Sequence, residues 1–424
     1  ALIGETWLAA GDDEAAGPAR CRLLLEGAPD AAGQSWLLAE SHWADTFHPV
    51  RYQQMLWWAL VSVPRAVYLH AINPSQSLRT ALEIATPGSR AGLVNVDRSV
   101  DLTGPEIALR TFAGAAMLIL SPLLIGLVLL ALVLLFILGL VPLEASRNAA
   151  LNLQRTLAQT LGDSFLFTAN PVVEAAVVTR VQRDLLWLAE RSRRVVLVAH
   201  SQGAAVSYRA LQGLVRARQL PSVVTEVVSY GSGLRKLADL DRRKGEGIAL
   251  YGWCAAALSS GLLFSLLQAL LHSSLTWVLA VVALFCLIVL LVVFGTVVLP
   301  RPRMENPLPL DWFDFYASRD PVSNGRVDVR FWGAAAATGS GMQFAGGKGH
   351  RRESVMVFNR HSLVSDHSTY WDEGTDFTVR ILQRFLAGDE ATAFDEMQCA
   401  RVQSAAASRR LRLWQLAGFR AAAG

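Results

Sequence analysis

Two long stretches without a charged side chain constrain this fold more than any other feature of the sequence. Residues 111–143 and 247–300 contain no Asp, Glu, Lys or Arg, and His272 is their only histidine. About 20 consecutive apolar residues are enough for a helix to cross the hydrocarbon core of a bilayer. The two stretches therefore predict membrane segments inserted into the rest of the chain.

The second stretch, from about Ile248 to Leu299, divides into two apolar halves around His272-Ser273-Ser274. Basic residues flank it on both sides and are absent from its short connecting loop: the flanking residues are Arg242, Arg243, Lys244, Arg301 and Arg303. Lys and Arg concentrate on the cytoplasmic side of membrane proteins. We therefore expect residues 248–299 to form a two-span hairpin of a multi-pass chain in the cell (inner) membrane, with the parts of the chain on either side of it on the cytoplasmic side.

Residues 111–143 are too many for one simple span and too few for two, and Pro122 and Gly126 could break a helix there. If residues 1–110 share a folded unit with the chain after 143, this segment must return to the side it left, as a re-entrant or interfacial hairpin. A single crossing would instead leave residues 1–110 on the opposite side. The charges at the two ends of residues 111–143 show no clear asymmetry, which favours a segment that returns to the side it left. Residues 1–110 would then add strands to the same sheet as the chain after residue 143.

The segment 195–205 predicts a strand, a tight turn and a helix, with Ser201 at the turn. A β-branched run, Val195 to Val198, leads into Ala199-His200-Ser201-Gln202-Gly203. We expect a small residue at position 199 because strand and helix backbones nearly touch at such an elbow, and alanine is the least intrusive replacement for the glycine usual there. Residues 223–230 read as a second buried strand, so the unit is strand, helix, strand, and it predicts a parallel sheet with a right-handed crossover.

A serine hydroxyl is a weak nucleophile until a base takes its proton, and a third group must orient that base. Downstream of Ser201, an aromatic strand ends at Asp320, just before Pro321. An acid at the end of a strand, in a turn stiffened by proline, suits the orienting role. Asp314 and Asp311 remain alternatives for it.

The candidate base is His367, which lies between polar residues just ahead of a predicted helix. His361 and His350 are the alternatives. His200 precedes Ser201, so we expect its side chain to pack near the site rather than act as the base. The chain order Ser, Asp, His occurs in one known arrangement of this triad.

Three motifs together resemble those of the α/β-hydrolase superfamily, in its lipase-like branch: Ala199-His200-Ser201-Gln202-Gly203, Ser318-Arg319-Asp320-Pro321-Val322 and Ser365-Asp366-His367-Ser368-Thr369-Tyr370-Trp371. The resemblance implies an α/β fold, a mostly parallel sheet flanked by helices, here with inserted transmembrane or re-entrant helices. It also implies a serine hydrolase acting on acyl esters. Ser201 would be the nucleophile, His367 the general base and acid, and Asp320 the orienting carboxylate.

The backbone N–H of Gln202 is the expected first donor of an oxyanion hole, because it follows the nucleophile at a helix N-terminus. The resemblance implies a second donor in a loop after an early strand, often beginning His-Gly, and no such dipeptide precedes residues 2–6. We expect that loop to lie upstream of Ala1. Gly27 is the alternative donor.

Charge and cysteine usage exclude other classes of function. The net charge of +4 is dispersed, and no basic-aromatic motif suggests a nucleic-acid partner. The four cysteines, Cys21, Cys254, Cys286 and Cys399, show no paired spacing. We therefore expect no disulfide framework, no metal site and no cofactor.

The predicted organisation has six parts: an N-terminal part of the hydrolase domain (1–110), the hydrophobic segment (111–143), the core with the elbow (144–247), the two-span hairpin (248–299), the part with acid and base (300–400) and a basic amphipathic helix (401–424). The last helix could lie on anionic lipid or pack on the domain. Both readings remain open.

The predicted function is a membrane-integrated serine hydrolase that cleaves lipid-like acyl esters through an acyl-enzyme. An acyltransferase would use the same three residues. A non-catalytic scaffold that assembles with membrane partners, or oligomers formed through the membrane segments, is the alternative from another class.

Overall fold

The computed structural model describes residues 2–7, 17–25, 34–47, 50–60, 62, 104–141, 144–234, 246–272, 274–298, 308–317, 320, 322–323, 352–357, 366–372 and 374–381. Several predictions fall outside these ranges. They concern the charges that flank residues 248–299, the alternative bases His350 and His361, the alternative donor Gly27, and the basic helix at 401–424.

The N-terminal strands form a sheet of their own. Strands β1 (Leu2–Trp7), β2 (Ala19–Leu25) and β3 (Gln34–Glu40) pair in that order, and both pairs are antiparallel. The sequence predicts a hairpin here, because two short apolar runs, 22–25 and 36–40, flank the turn-rich residues 26–30, and the antiparallel pairing of β2 with β3 confirms it. The expectation that these strands extend the sheet carrying Ser201 is wrong, because short connections favour local antiparallel pairing, whereas a parallel neighbour requires a long crossover.

This sheet packs on the helix that precedes the Ser201 strand. The helices in chain order are α1 (52–60), α2 (Gly104–Leu140), α3 (Glu144–Ala169) and α4 (Pro171–Ala189). Ser41 Oγ donates to Asp184 of α4 at 2.7 Å. The guanidinium of Arg20 lies over the ring of Trp187, also in α4, at 4.6 Å. The N-terminal part is thus attached to the core through side chains rather than through strand pairing.

The parallel sheet contains strands β4 (Val195–His200), β5 (Val224–Tyr230), β6 (Asp311–Ala317) and β7 (Arg352–Val357), in that spatial order. All three pairs are parallel. Helix α5 (Gln202–Arg216) connects β4 to β5. The predicted α/β class, with a parallel sheet flanked by helices, is confirmed.

The core beneath α5 explains why this sheet forms. Apolar side chains from α4, α5 and the first three strands of the sheet are buried together, among them Leu185, Tyr208, Leu211, Val227 and Trp312. Fully burying one such side chain stabilises the fold by about 1.5–3 kcal/mol. On the other face, Val228, Phe313 and Phe315 pack with the segment that follows the candidate base.

The charge-free stretches form long helices. Helix α6 (Glu246–His272) and helix α7 (Leu275–Val298) make a hairpin, and α2 packs against α6. The predicted division of residues 248–299 at His272 is confirmed. Large apolar side chains on these helices are exposed, including Leu130, Ile137, Phe264, Leu270 and Leu287. Within the described residues, no helix combines the length and apolarity required to cross a membrane.

Helix α2 corrects one expectation about residues 111–143. It runs unbroken from Gly104 to Leu140, so the segment is not a hairpin broken near Pro122. A proline inside a helix costs about 3 kcal/mol, mainly for one lost hydrogen bond and a local clash. Packing against its neighbours offsets that cost. Ile125, Leu129 and Leu132 are buried against α1, and Tyr52 of α1 donates to the Leu132 carbonyl at 2.9 Å.

Candidate active site

Ser201 occupies a strained backbone position between β4 and α5. Its φ is 55° and its ψ is −125°, a conformation that costs a residue other than glycine about 1–3 kcal/mol. Hydrogen bonds on both sides hold it there. The Ser201 N–H donates to the Tyr230 carbonyl at 3.1 Å, and the Gly233 N–H donates to the Ser201 carbonyl at 3.0 Å. The predicted elbow is therefore present, and it lies at the carboxyl ends of β4 and β5.

The two small positions of the motif behave differently. Ala199 is buried, and its side chain is a single methyl group. Gly203 lies one residue inside α5, and a Cβ there would meet nothing within 4 Å. The structure therefore leaves room for a methyl group at position 203.

Gly231 is the glycine that the site requires, and sequence reasoning missed it. Its φ is +55°, and a Cβ there would lie 2.9 Å from Asp320 Oδ2 and 3.0 Å from His367 Nδ1. A side chain would therefore enter the contact between these two groups. The available signal was its position directly after β5, in Gly231-Ser232-Gly233.

His367 contacts Ser201 as the sequence predicts. It lies in a short 3-10 helix, Asp366–Ser368, and its Nε2 is 2.9 Å from Ser201 Oγ. Its side chain is half-buried, so one face of the imidazole is open to solvent or to a bound molecule. The hydroxyl and the ring nitrogen are thus within hydrogen-bonding distance across 166 positions of sequence.

Asp320 contacts the other nitrogen of this imidazole. Its two carboxylate oxygens lie 3.0 and 3.1 Å from His367 Nδ1, and the residue is fully buried. The backbone N–H groups of Val322 and Ser323 donate to its Oδ1 at 2.7 and 3.3 Å. Burial opposes ionisation, but the hydrogen bonds and the neighbouring His367 outweigh it, and the pKa of Asp320 is lowered. The carboxylate is therefore charged at neutral pH.

The alternative acids are placed elsewhere in β6. Asp311 is the first residue of this strand, about 20 Å from its last residue at 3.3 Å per residue. Asp314 is buried in the middle of the strand and accepts a hydrogen bond from Ser229 Oγ at 2.5 Å. Of the three candidate acids, Asp320 is the one bonded to His367.

Tyr370 supports Asp320 and was not singled out from the sequence. Its hydroxyl donates to Asp320 Oδ2 at 2.8 Å and accepts from the Ala317 N–H at 2.7 Å. Burial, followed by the charge of Asp320, raises the pKa of Tyr370 well above its usual value. The phenol is therefore a permanent donor, and it joins the end of β6 to the turn that carries the base.

His200 packs beside the base, as expected from its position. Its ring stacks on Tyr230 with centroids 4.5 Å apart and on His367 with centroids 4.6 Å apart. Its Nε2 lies 2.9 Å from the His367 carbonyl oxygen. Burial and then the adjacent His367 lower the pKa of His200, so the ring is neutral at neutral pH.

Gln202 lies where an oxyanion donor is expected. It is the first residue of α5, so its N–H has no acceptor within the helix. Its side chain has a further contact, since Nε2 donates to the Asp163 carbonyl of α3 at 3.3 Å. This bond connects the elbow to the helix that follows α2.

The arrangement can activate the serine. A hydroxyl bonded to an imidazole, which is bonded in turn to a buried carboxylate, can lose its proton as it attacks an electrophile. A free N–H and the helix N-terminus beside it can stabilise the resulting negative charge. Within the described residues, no cluster of three or more His, Cys, Asp or Glu side chains could hold a metal ion.

Comparisons with family models, curated proteins and solved structures found no match to this chain. The function of this chain is therefore inferred from the geometry of Ser201, His367 and Asp320.

Proposed function

We propose that this chain is a membrane-integrated serine hydrolase of the α/β-hydrolase type that cleaves lipid-like acyl esters. One observation carries the proposal: an unbroken set of hydrogen bonds from Ser201 Oγ through His367 to the buried Asp320. The strained elbow at Ser201 and the order of the three residues in the chain support it further.

The reaction follows from these contacts. Ser201 Oγ attacks the ester carbonyl carbon while its proton passes to His367 Nε2, and Asp320 stabilises the imidazolium that forms. The Gln202 N–H donates to the oxyanion. The bond to the alcohol then breaks, and His367 returns the proton to the leaving oxygen. Water attacks the acyl-enzyme in the same way, which releases the carboxylic acid and restores the serine.

The hydrophobic helices support a lipid-like substrate in a bilayer. Helix α2 precedes the elbow, and α6 and α7 lie between Ser201 and Asp320 in the chain. Their exposed apolar side chains are an unfavourable surface in water. We propose that these helices insert into the inner membrane from the cytoplasmic side. An ester with a long acyl chain would then be present at high concentration beside the site.

Labelling with a fluorophosphonate probe tests the nucleophile. We expect the full chain to be labelled and the Ser201→Ala variant not to be. Ser222→Ala is the matched control, because this serine is exposed and lies outside the site, and it should label like the wild type. Equal labelling of wild type and Ser201→Ala would contradict the proposal.

The substrate class needs a second measurement. Hydrolysis of p-nitrophenyl esters with acyl chains from two to sixteen carbons should rise with chain length when the protein is in vesicles. A rate that falls steadily with chain length would contradict the lipid-like substrate while leaving the serine hydrolase intact.

A further inference from the structure

Three contacts of His200 remain unexplained by the reaction above. Its ring lies between Tyr230 and His367, with interplanar angles of 16° and 26° respectively. Its Nε2 contacts the main-chain carbonyl of His367 at 2.9 Å. A carbonyl oxygen can only accept a hydrogen bond, so this nitrogen must carry a hydrogen. His200 therefore donates to the backbone of the base while its ring covers one face of the base.

The base depends on such external contacts. It lies on a three-residue 3-10 helix, which provides little hydrogen bonding of its own. His200, which donates to its main chain, is the last residue of β4 and directly precedes Ser201. The bond therefore joins the main chain of the base to the strand that carries the nucleophile.

We infer that His200 is a positioning residue: its Nε2–H holds the main chain of His367 in register with Ser201, and its ring must stay neutral for His367 to become cationic during the reaction. This inference rests on the proposed hydrolase function. It assigns His200 no direct contact with substrate. It makes the site sensitive to acid through a group that transfers no proton in the reaction.

The charges around His200 explain the direction of this sensitivity. The titratable groups that face it are Tyr230, His367, Tyr370 and Asp320. Burial and the neighbouring His367 disfavour a proton on His200, whereas the bond to the His367 carbonyl and the carboxylate of Asp320 favour one, and on balance the pKa of His200 is lowered. During the reaction His367 becomes cationic, and a second cation stacked 4.6 Å away would oppose that step.

Two variants separate positioning from simple packing. His200→Phe keeps a ring between Tyr230 and His367 but loses the donor and the titration. His200→Gln keeps a donor but loses the stacked ring. We expect fluorophosphonate labelling at pH 8 to be about 10- to 100-fold slower in the Phe variant, because the His367 carbonyl loses this donor. The Gln variant should recover part of that loss.

The pH profile provides a readout that packing alone would not change. In the wild type, two imidazoles must be neutral, so the logarithm of the labelling rate should approach a slope of two in acid. Both variants should show a slope of one. The control is His42→Phe, because His42 is exposed and distant in the chain, and it should keep the wild-type rate and slope. Wild-type rates and slopes in both His200 variants would overturn the inference.

A measurement without activity separates this inference from the proposed function. Nitrogen NMR of the full chain labelled with ¹⁵N-histidine should show His200 with a hydrogen on Nε2 alone at neutral pH, and its titration should lie below pH 6.5, the ordinary pKa of histidine. Assignment follows from the signal lost in His200→Gln. If the wild type is not labelled by the probe, the hydrolase proposal fails. If His200 titrates at or above pH 6.5, the positioning inference fails whatever the labelling shows.

Discussion

In the parallel sheet, buried polar groups at the site have specific partners, whereas in helices α2, α6 and α7 apolar side chains face outward as well as inward. Asp320 accepts hydrogen bonds from backbone, phenol and imidazole groups. Leu270 and Leu275, by contrast, are exposed for about three quarters of their area. Hydrogen bonds are directional, so they fix positions at the site. Apolar burial is not directional, so it determines mainly how much apolar surface of each helix must be removed from water.

This difference predicts that changes in one region should leave the other region intact. Substitutions at the site should alter the reaction without altering association with lipid. Substitutions on the exposed helix faces should do the reverse.

The largest effect should come from Asp320→Asn. An amide cannot hold the imidazole in the same tautomer or stabilise the imidazolium, and the corresponding loss of turnover is about 10⁴-fold. Ester hydrolysis in vesicles measures it, and vesicle binding should not change. Asp45→Asn is the control, because Asp45 is exposed in the 3-10 helix Ala44–Thr46. A loss below tenfold would show that the carboxylate is not needed for orientation.

A charge on α7 should have the next largest effect, and it should act on lipid binding alone. Leu287 is exposed near the middle of this helix. A lysine at the centre of a membrane helix costs about 2.5–3.5 kcal/mol, so Leu287→Lys should bind vesicles about 100-fold more weakly. Flotation with phosphatidylcholine and phosphatidylglycerol vesicles measures this, with Leu287→Met as the volume-matched control. Unchanged flotation would argue against insertion of the hairpin.

Gly231→Ala should slow the reaction by about 10- to 100-fold, because a positive φ and a methyl group against Asp320 and His367 together cost about 1–3 kcal/mol. Gly203→Ala is the matched control. A Cβ at position 203 meets open space, so activity should be retained and the helix could be stabilised by up to about 1 kcal/mol. Equal activity in both variants would contradict the geometry around Gly231.

Acid should lower the stability of the parallel-sheet region through the titration of His200 and Asp320, and this effect should be the smallest of the four. The pKa of His200 lies below its ordinary 6.5 in the folded chain, so the unfolded chain takes up this proton first as pH falls. Stability should therefore decline below about pH 6.5. Asp320, with a pKa below its ordinary 3.8, adds a second loss in stronger acid. Thermal unfolding from pH 8 to pH 4 should show a smaller decline in His200→Phe than in the wild type.

The difference between local motifs and long-range contacts explains which site residues the sequence could predict. Ser201, Asp320 and His367 each belong to a short motif with a local signature, so their roles could be proposed before their contacts were known. Gly231 and Tyr370 could not be singled out, because their importance depends on contacts with residues far along the chain. Tyr370 contacts Asp320 across 50 positions.

The fold, like the site, could be predicted in part from the sequence. Strand patterns and spacing predicted a parallel sheet, and the hairpin of β2 and β3 followed from its turn. The separation of the N-terminal strands from the sheet that carries Ser201 was not evident, because apolar patterns identify strands without identifying their neighbours. Proline at position 122 suggested a broken segment, but a proline alone does not show how much neighbouring helices compensate.

The bond between Ser201 and His367 spans 166 positions, and both helices of the hydrophobic hairpin are synthesised between them. A growing chain therefore completes the elbow long before the base exists. The loop between the two residues must be closed before this contact forms, and closing it costs conformational entropy. The apolar side chains of these helices must be removed from water before the base has been synthesised. The site can therefore be completed only after both apolar helices have been synthesised.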